Sequence, residues 1–206
     1  MVTSAIHRVI EQHAAMSGDA VAVVETTRSL TYRELNQRAN AVARRLIAHG
    51  FRRGRHAFVV MPLGVDLAVM LLAVLKVGGC YSWIDGQGGC SPYPTGVSIS
   101  LGREEGQEKY QEEKYQYVDV TCCLRAPTQA SPNLPVLTRG SDTACVLMDR
   151  EGAAAIRVSH DTVVSFGQHA GEAATTAIDS GAFAMWMVLM TGRTVTLEPS
   201  IQVAAA

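Results

Sequence analysis

A chain of 206 residues can bury one substantial core, or one domain with a poorly packed extension. Its 18 basic and 19 acidic residues leave a formal net charge of −1, and the basic ones are scattered along helical stretches, so no electrostatic footprint for nucleic acid and no membrane-attracting patch is present. Five cysteines, Cys80, Cys90, Cys122, Cys123 and Cys145, lack metal-ligand spacing, and without a secretory segment at the start they imply free thiols in a reducing cytoplasm, with no metal and no cofactor.

Ile6, Val9, Ile10, His13 and Met16 recur at helical spacing behind Thr3 and Ser4 as caps, which predicts an amphipathic helix packed across a sheet. Ala20–Val24 and Ser29–Tyr32 read as a short hairpin. Thr31 and Glu34 then form a capping box, in which hydroxyl and carboxylate each satisfy the other residue's backbone N–H. The helix they open carries Leu35, Ala39, Val42, Ala43, Leu46 and Ile47 on one face and stops at Gly50. His56–Met61 is a nearly continuous apolar run, as expected of a parallel strand covered on both faces, and Pro62 and Gly64 end it. Val65–Val77 is apolar almost all round and terminates at Gly78 and Gly79, which predicts a buried crossover helix leading to the strand Cys80–Asp85. Pro62, Gly64 and Asp66 interrupt the run and exclude a membrane span. Strand, helix and strand in that order make a right-handed parallel unit, so the class is α/β with a doubly wound, mainly parallel sheet flanked by helices.

Beyond Asp85 the pattern changes. Gly86–Gly96 is connector chemistry, and Val97–Leu101 is a short strand. Glu105–Tyr117 contains a near-duplication, QEKYQ then EEKYQ, that reads as a solvated helix or a mobile segment, whose Tyr110, Tyr115 and Tyr117 are candidate partner contacts. In the strand-like Val118–Leu124, one of Cys122 and Cys123 faces inward and the other outward. Ala126–Pro135 is a proline-containing linker.

Cys145–Met148 is an apolar strand running to a turn and then to Val158, Ser159 and His160, which is the frame of an ATP phosphate loop. Such a loop needs several glycines, hydroxyl donors and a lysine to close around phosphate oxygens. The turn here is Asp149, Arg150, Glu151, Gly152, Ala153, Ala154 and Ala155: one glycine, no serine, threonine or lysine, and two carboxylates that repel a triphosphate. Ser159, His160 and Asp161 are adjacent and cannot point at one another on a regular element, so His160 reads as structural.

Leu30–Gly50 and Leu71–Asp85 closely resemble the first two signature segments of the adenylation domains of nonribosomal peptide synthetases, in the adenylate-forming superfamily. Asp142–His160 resembles a shortened, disarmed third segment. Ala177–Leu197 resembles the helix and strand of a fourth, with Asp179 at the aspartate that grips a substrate amino group, although an aspartate heading the MWMVLM helix is also a routine cap. The resemblance implies a single partial domain over 1–206, with a well-matched α/β half at 1–85, a divergent loop and linker region at 86–141, and the loop remnant, helix and strand at 142–200. It also implies a chain too short for the family, lacking the later motifs that hold adenine, ribose, magnesium and the mobile lid lysine. The expected function is a truncated, catalytically inactive adenylation-like domain with no catalytic residue, cytoplasmic, acting in peptide antibiotic assembly as a platform for synthetase carrier or condensation domains or for a recruited tailoring enzyme. The alternatives are half of a split adenylate-forming enzyme completed in trans, and a non-functional relic. The expected docking surface runs from Gly86 to Tyr117 and from Met185 to Leu197, with Tyr110, Tyr115, Trp186 and Met187 as interface candidates.

Overall fold

The computed structural model describes residues 5–84, 99–102, 116–119, 124, 131–135, 138–148, 155–169 and 181–197. The first helix, α1 (Ile6–Met16), starts at Ala5 with no side-chain cap. Its first free N–H, on Ile6, is instead taken by the Nδ1 atom of His160, 3.3 Å away. Thr3 and Ser4, expected as caps, lie outside the described residues. Strands β1 (Val21–Glu25) and β2 (Arg28–Thr31) form the expected antiparallel hairpin. The capping box is present: Glu34 N–H donates to Thr31 Oγ1 at 3.2 Å and Thr31 N–H donates to Glu34 Oε2 at 2.9 Å. Helix α2 (Tyr32–Ala48) follows, burying Leu35, Ala39, Val42, Ala43 and Leu46, and Gly50 takes the left-handed φ of +89° that ends it.

Strand β3 (His56–Val60), helix α3 (Val65–Val77) and strand β4 (Cys80–Ile84) form the crossover unit, with β3 and β4 parallel from His56↔Cys80 to Val60↔Ile84. Strands β5 (Ile99–Gly102) and β6 (Gln116–Asp119) add on the other side of β3, so the chain reverses direction about β3 as a doubly wound sheet requires. The Gln116–Asp119 strand corrects the reading of a solvated helix or mobile segment at Gln116 and Tyr117; the rest of that segment, with Tyr110 and Tyr115, lies outside the described residues. Strand β7 (Thr143–Met148) pairs parallel with β4, and β8 (Ala155–Ser159) returns antiparallel to β7, giving six strands in the order β6-β5-β3-β4-β7-β8.

Helices α4 (His160–His169) and α5 (Gly181–Leu189) precede a last strand, β9 (Val195–Leu197), which pairs parallel with β1. A second sheet of three strands, β2-β1-β9, results. It explains why α3 is apolar all round: the helix contacts β4 of the large sheet, β1 and β2 of the small one, and α1 and α2. Leu67, Met70, Leu71, Leu72 and Leu75 are all fully buried. Helix α1 packs on α2, α3 and α4, which corrects the expectation that it lies across the sheet.

Candidate functional site

In open α/β sheets a ligand lies outside the carboxyl ends of the strands, where the strand order reverses. Here that is the end of β3 and β5, and β7 ends and β8 begins at the same end. The turn's Asp149, Arg150, Glu151, Gly152 and Ala153 lie outside the described residues, as does Asp179. The surrounding described residues give the end its character. Helix α3 begins there, but its N-terminus, a natural anion seat, is already filled: Val65 N–H donates to Glu25 Oε2 at 3.1 Å. Arg28 is engaged with Asp66 through contacts of 2.6 and 3.1 Å. Trp83 donates its indole N–H to the Met61 carbonyl at 2.8 Å. Gly181, opening α5, sits against this wall; a Cβ there would stand 3.1 Å from Leu63 Cδ2 and 3.8 Å from the Trp83 ring. An indole, a leucine and an occupied carboxylate suit packing better than phosphate binding.

The buried polar groups gather at the opposite end, where the parallel strands begin. His160 is fully buried; its backbone N–H donates to the Asp142 carbonyl at 3.1 Å and its ring meets His7 edge-on at 5.9 Å between centroids. Burial drives His160 down to about 4. His7 is driven down to about 3, by burial first and then by the charges of His160 and Lys76. Lys76, at the last turn of α3, pairs with Glu11 in the core, and Glu11 also reaches Arg8 at 3.2 Å. Burial lowers the Lys76 pKa against the opposing pull of Glu11. Asp142 is held low by the Arg139 backbone N–H and, after a smaller opposing burial effect, by Arg53. Lys76 and Glu11 escaped the sequence reading, although a lone lysine in an otherwise apolar helix was a usable signal.

The Ser159-His160-Asp161 run does not converge. Ser159 Oγ accepts from the Thr162 backbone N–H at 3.2 Å as a helix cap, and the Asp161 carboxylate fills the space beside Gly140, where a Cβ would approach it to 1.9 Å. A second serine–histidine pair is also structural. His56 Nε2 lies 3.0 Å from Ser82 Oγ, but that hydroxyl donates to the Val146 carbonyl at 3.0 Å, so the imidazole does not take its proton. Burial, aided by Arg157, drives His56 down to about 4.

Trp186 and Met187, expected at an interface, lie in the core at 0% and 5% exposure. The Trp186 indole donates to the Tyr81 hydroxyl at 2.7 Å, across the gap between α5 and β4, and this buried partner is what holds the ring inward. Among the described residues no cluster of metal-ligating side chains occurs, and no helix is long and apolar enough to cross a membrane.

These features define an α/β domain with the architecture of an adenylation N-terminal subdomain. The NpsA N-terminal subdomain of Klebsiella oxytoca superposes with a TM-score of 0.78 at 19% identity, covering 97% of this chain and 56% of that one. An artificially fused adenylation–PCP di-domain, NpsA-ThdA, gives 0.80 at 20% identity, covering 97% and 40%. Residues 10–89 match the family described as AMP-binding enzyme. Over 75 residues, 36% of its length, the chain is 43% identical to a dimodular nonribosomal peptide synthase of Bacillus subtilis strain 168. Over 82 residues, 40% of its length, it is 44% identical to tyrocidine synthase 3 of Brevibacillus parabrevis. Surfactin synthase subunit 2 of the same B. subtilis strain aligns with 91% of the chain at 26% identity. The chain is homologous to the adenylation domains of nonribosomal peptide synthetases, and it spans 1% to 6% of the length of these three relatives.

Proposed function

We propose that the chain is a catalytically silent adenylation-like domain of nonribosomal peptide assembly, serving as a structural or docking platform for carrier or condensation domains or for a recruited tailoring enzyme. The observation that carries the reading is the contrast between frame and loop. The β7–β8 hairpin that frames a phosphate loop is kept, while the segment Asp149–Ala155, whose last residue opens β8, has one glycine, no lysine or hydroxyl residue, and two carboxylates. Backbone N–H groups cannot close around a triphosphate without the glycines, and the carboxylates oppose its charge. The described side chains at the same end add no replacement, since Glu25 occupies the α3 N-terminus and Arg28 is held by Asp66.

The test is amino-acid-dependent ATP–pyrophosphate exchange across the standard amino acids, with ATP binding followed by calorimetry. No exchange above a protein-free control and no saturable ATP binding in the micromolar range are expected. Exchange with even one amino acid would end the silent reading. Pull-down of neighbouring synthetase proteins tests the platform role separately, and failure of the folded protein to capture any of them would remove it.

A further inference from the structure

Strand β8 ends the six-stranded sheet. It pairs with β7 through Leu147↔Ile156, Val146↔Arg157 and Cys145↔Val158, and among the described residues nothing pairs with its outer edge. Such an edge offers a row of backbone N–H and C=O groups to a further strand. Its side chains alternate between the two faces of the sheet. Val158 is buried, whereas Ile156, on the same face, is 65% exposed. Arg157 projects from the other face, is exposed, and has no ion-pair partner among the described residues. Helix α4, which contacts β7 and β8, carries Phe166, 53% exposed and edge-on to Phe183 of α5.

Charge decides between occupants. In the register that pairs the whole of Ala155–Ser159, two copies joined antiparallel through β8 about a two-fold axis set the central residue opposite itself, and that residue is Arg157. Like charges directly opposite are destabilising, whereas a carboxylate at that place gains a cross-strand pair. We propose that the outer edge of β8 is a docking edge for an extended segment of another polypeptide, with an acidic residue that meets Arg157 and flanking apolar residues that cover Ile156. Its biological use rests on the platform reading, but the pairing chemistry stands apart from it: pyrophosphate exchange would sink the silent reading and leave this edge intact.

The experiment uses the protein itself as probe. Sedimentation is measured for the wild type, for Arg157→Glu, and for their equimolar mixture, with circular dichroism to verify folding. Each protein alone is expected to be monomeric and the mixture to form a dimer, because Arg157 then faces Glu at the two-fold. Salt should weaken that dimer, and Ile156→Lys in both copies should abolish it. Should Arg157→Glu not fold, Arg157→Val, which removes the repulsion, is expected to self-associate. A mixture that stays monomeric, an Arg157→Val protein that stays monomeric, or a wild-type dimer that survives Ile156→Lys would each overturn the proposal.

Discussion

Acidification is the perturbation that tests the buried histidines most directly. His7, His56 and His160 are held neutral by burial, with pKa values driven from 6.5 to about 3, 4 and 4. In the unfolded chain each binds a proton near its ordinary value, so the unfolded state takes up more protons as pH falls below 6.5. Their contribution is therefore fully present above that value and is lost as pH drops toward 4. One pH unit in that window is worth about 1.4 kcal/mol per histidine. At pH 5 each costs about 2 kcal/mol and the three together about 6 kcal/mol, a large share of the roughly 5–15 kcal/mol of a typical domain. Asp142, held below the ordinary carboxylate range, contributes only at lower pH and does not overlap the window. Urea unfolding at pH 7.5 and pH 5.0, at fixed ionic strength, should show this loss, and His160→Gln should shrink it by about a third, because one of the three titrating groups is gone. A change below about 2 kcal/mol between the two pH values would refute the claim that these imidazoles are excluded from protonation in the fold.

Three further outcomes follow from the core. Leu72→Asp places an unpaired charge in a helix enclosed by two sheets and two helices, and should abolish soluble expression; wild-type-like melting of that variant would mean the helix is accessible. Glu11→Leu strands the Lys76 ammonium, which is 0% exposed, and should cost about 3–5 kcal/mol in urea unfolding; adding Lys76→Met should recover most of it, because a well-packed apolar pair replaces a buried ionic one at little net cost. Trp186→Phe removes the donor to the Tyr81 hydroxyl and should cost about 1–3 kcal/mol, visible as a lower thermal midpoint.

Sequence alone determined those features whose causes are local. The Thr31–Glu34 capping box, the β1–β2 hairpin, the glycine stops and the apolar runs of β3 and α3 each depend on residues within a few positions of one another, so short-range sterics and hydrogen bonding specify them. The composition of the Asp149–Ala155 turn is equally legible, since a missing glycine or lysine needs no structure to be seen. Tertiary structure decided what depends on distant partners. Helix α3 is apolar on every side because a second sheet forms when β9 joins β1, a pairing across about 170 residues that no periodicity encodes. Trp186 reads as an interface anchor until Tyr81, 105 residues away, is found to accept its indole proton. His160 acquires its meaning from Ile6, 154 residues earlier, and Lys76 from Glu11, 65 residues earlier. A charged or aromatic side chain is ambiguous in sequence because its free energy is set by the groups it is buried against, and packing alone brings those groups together.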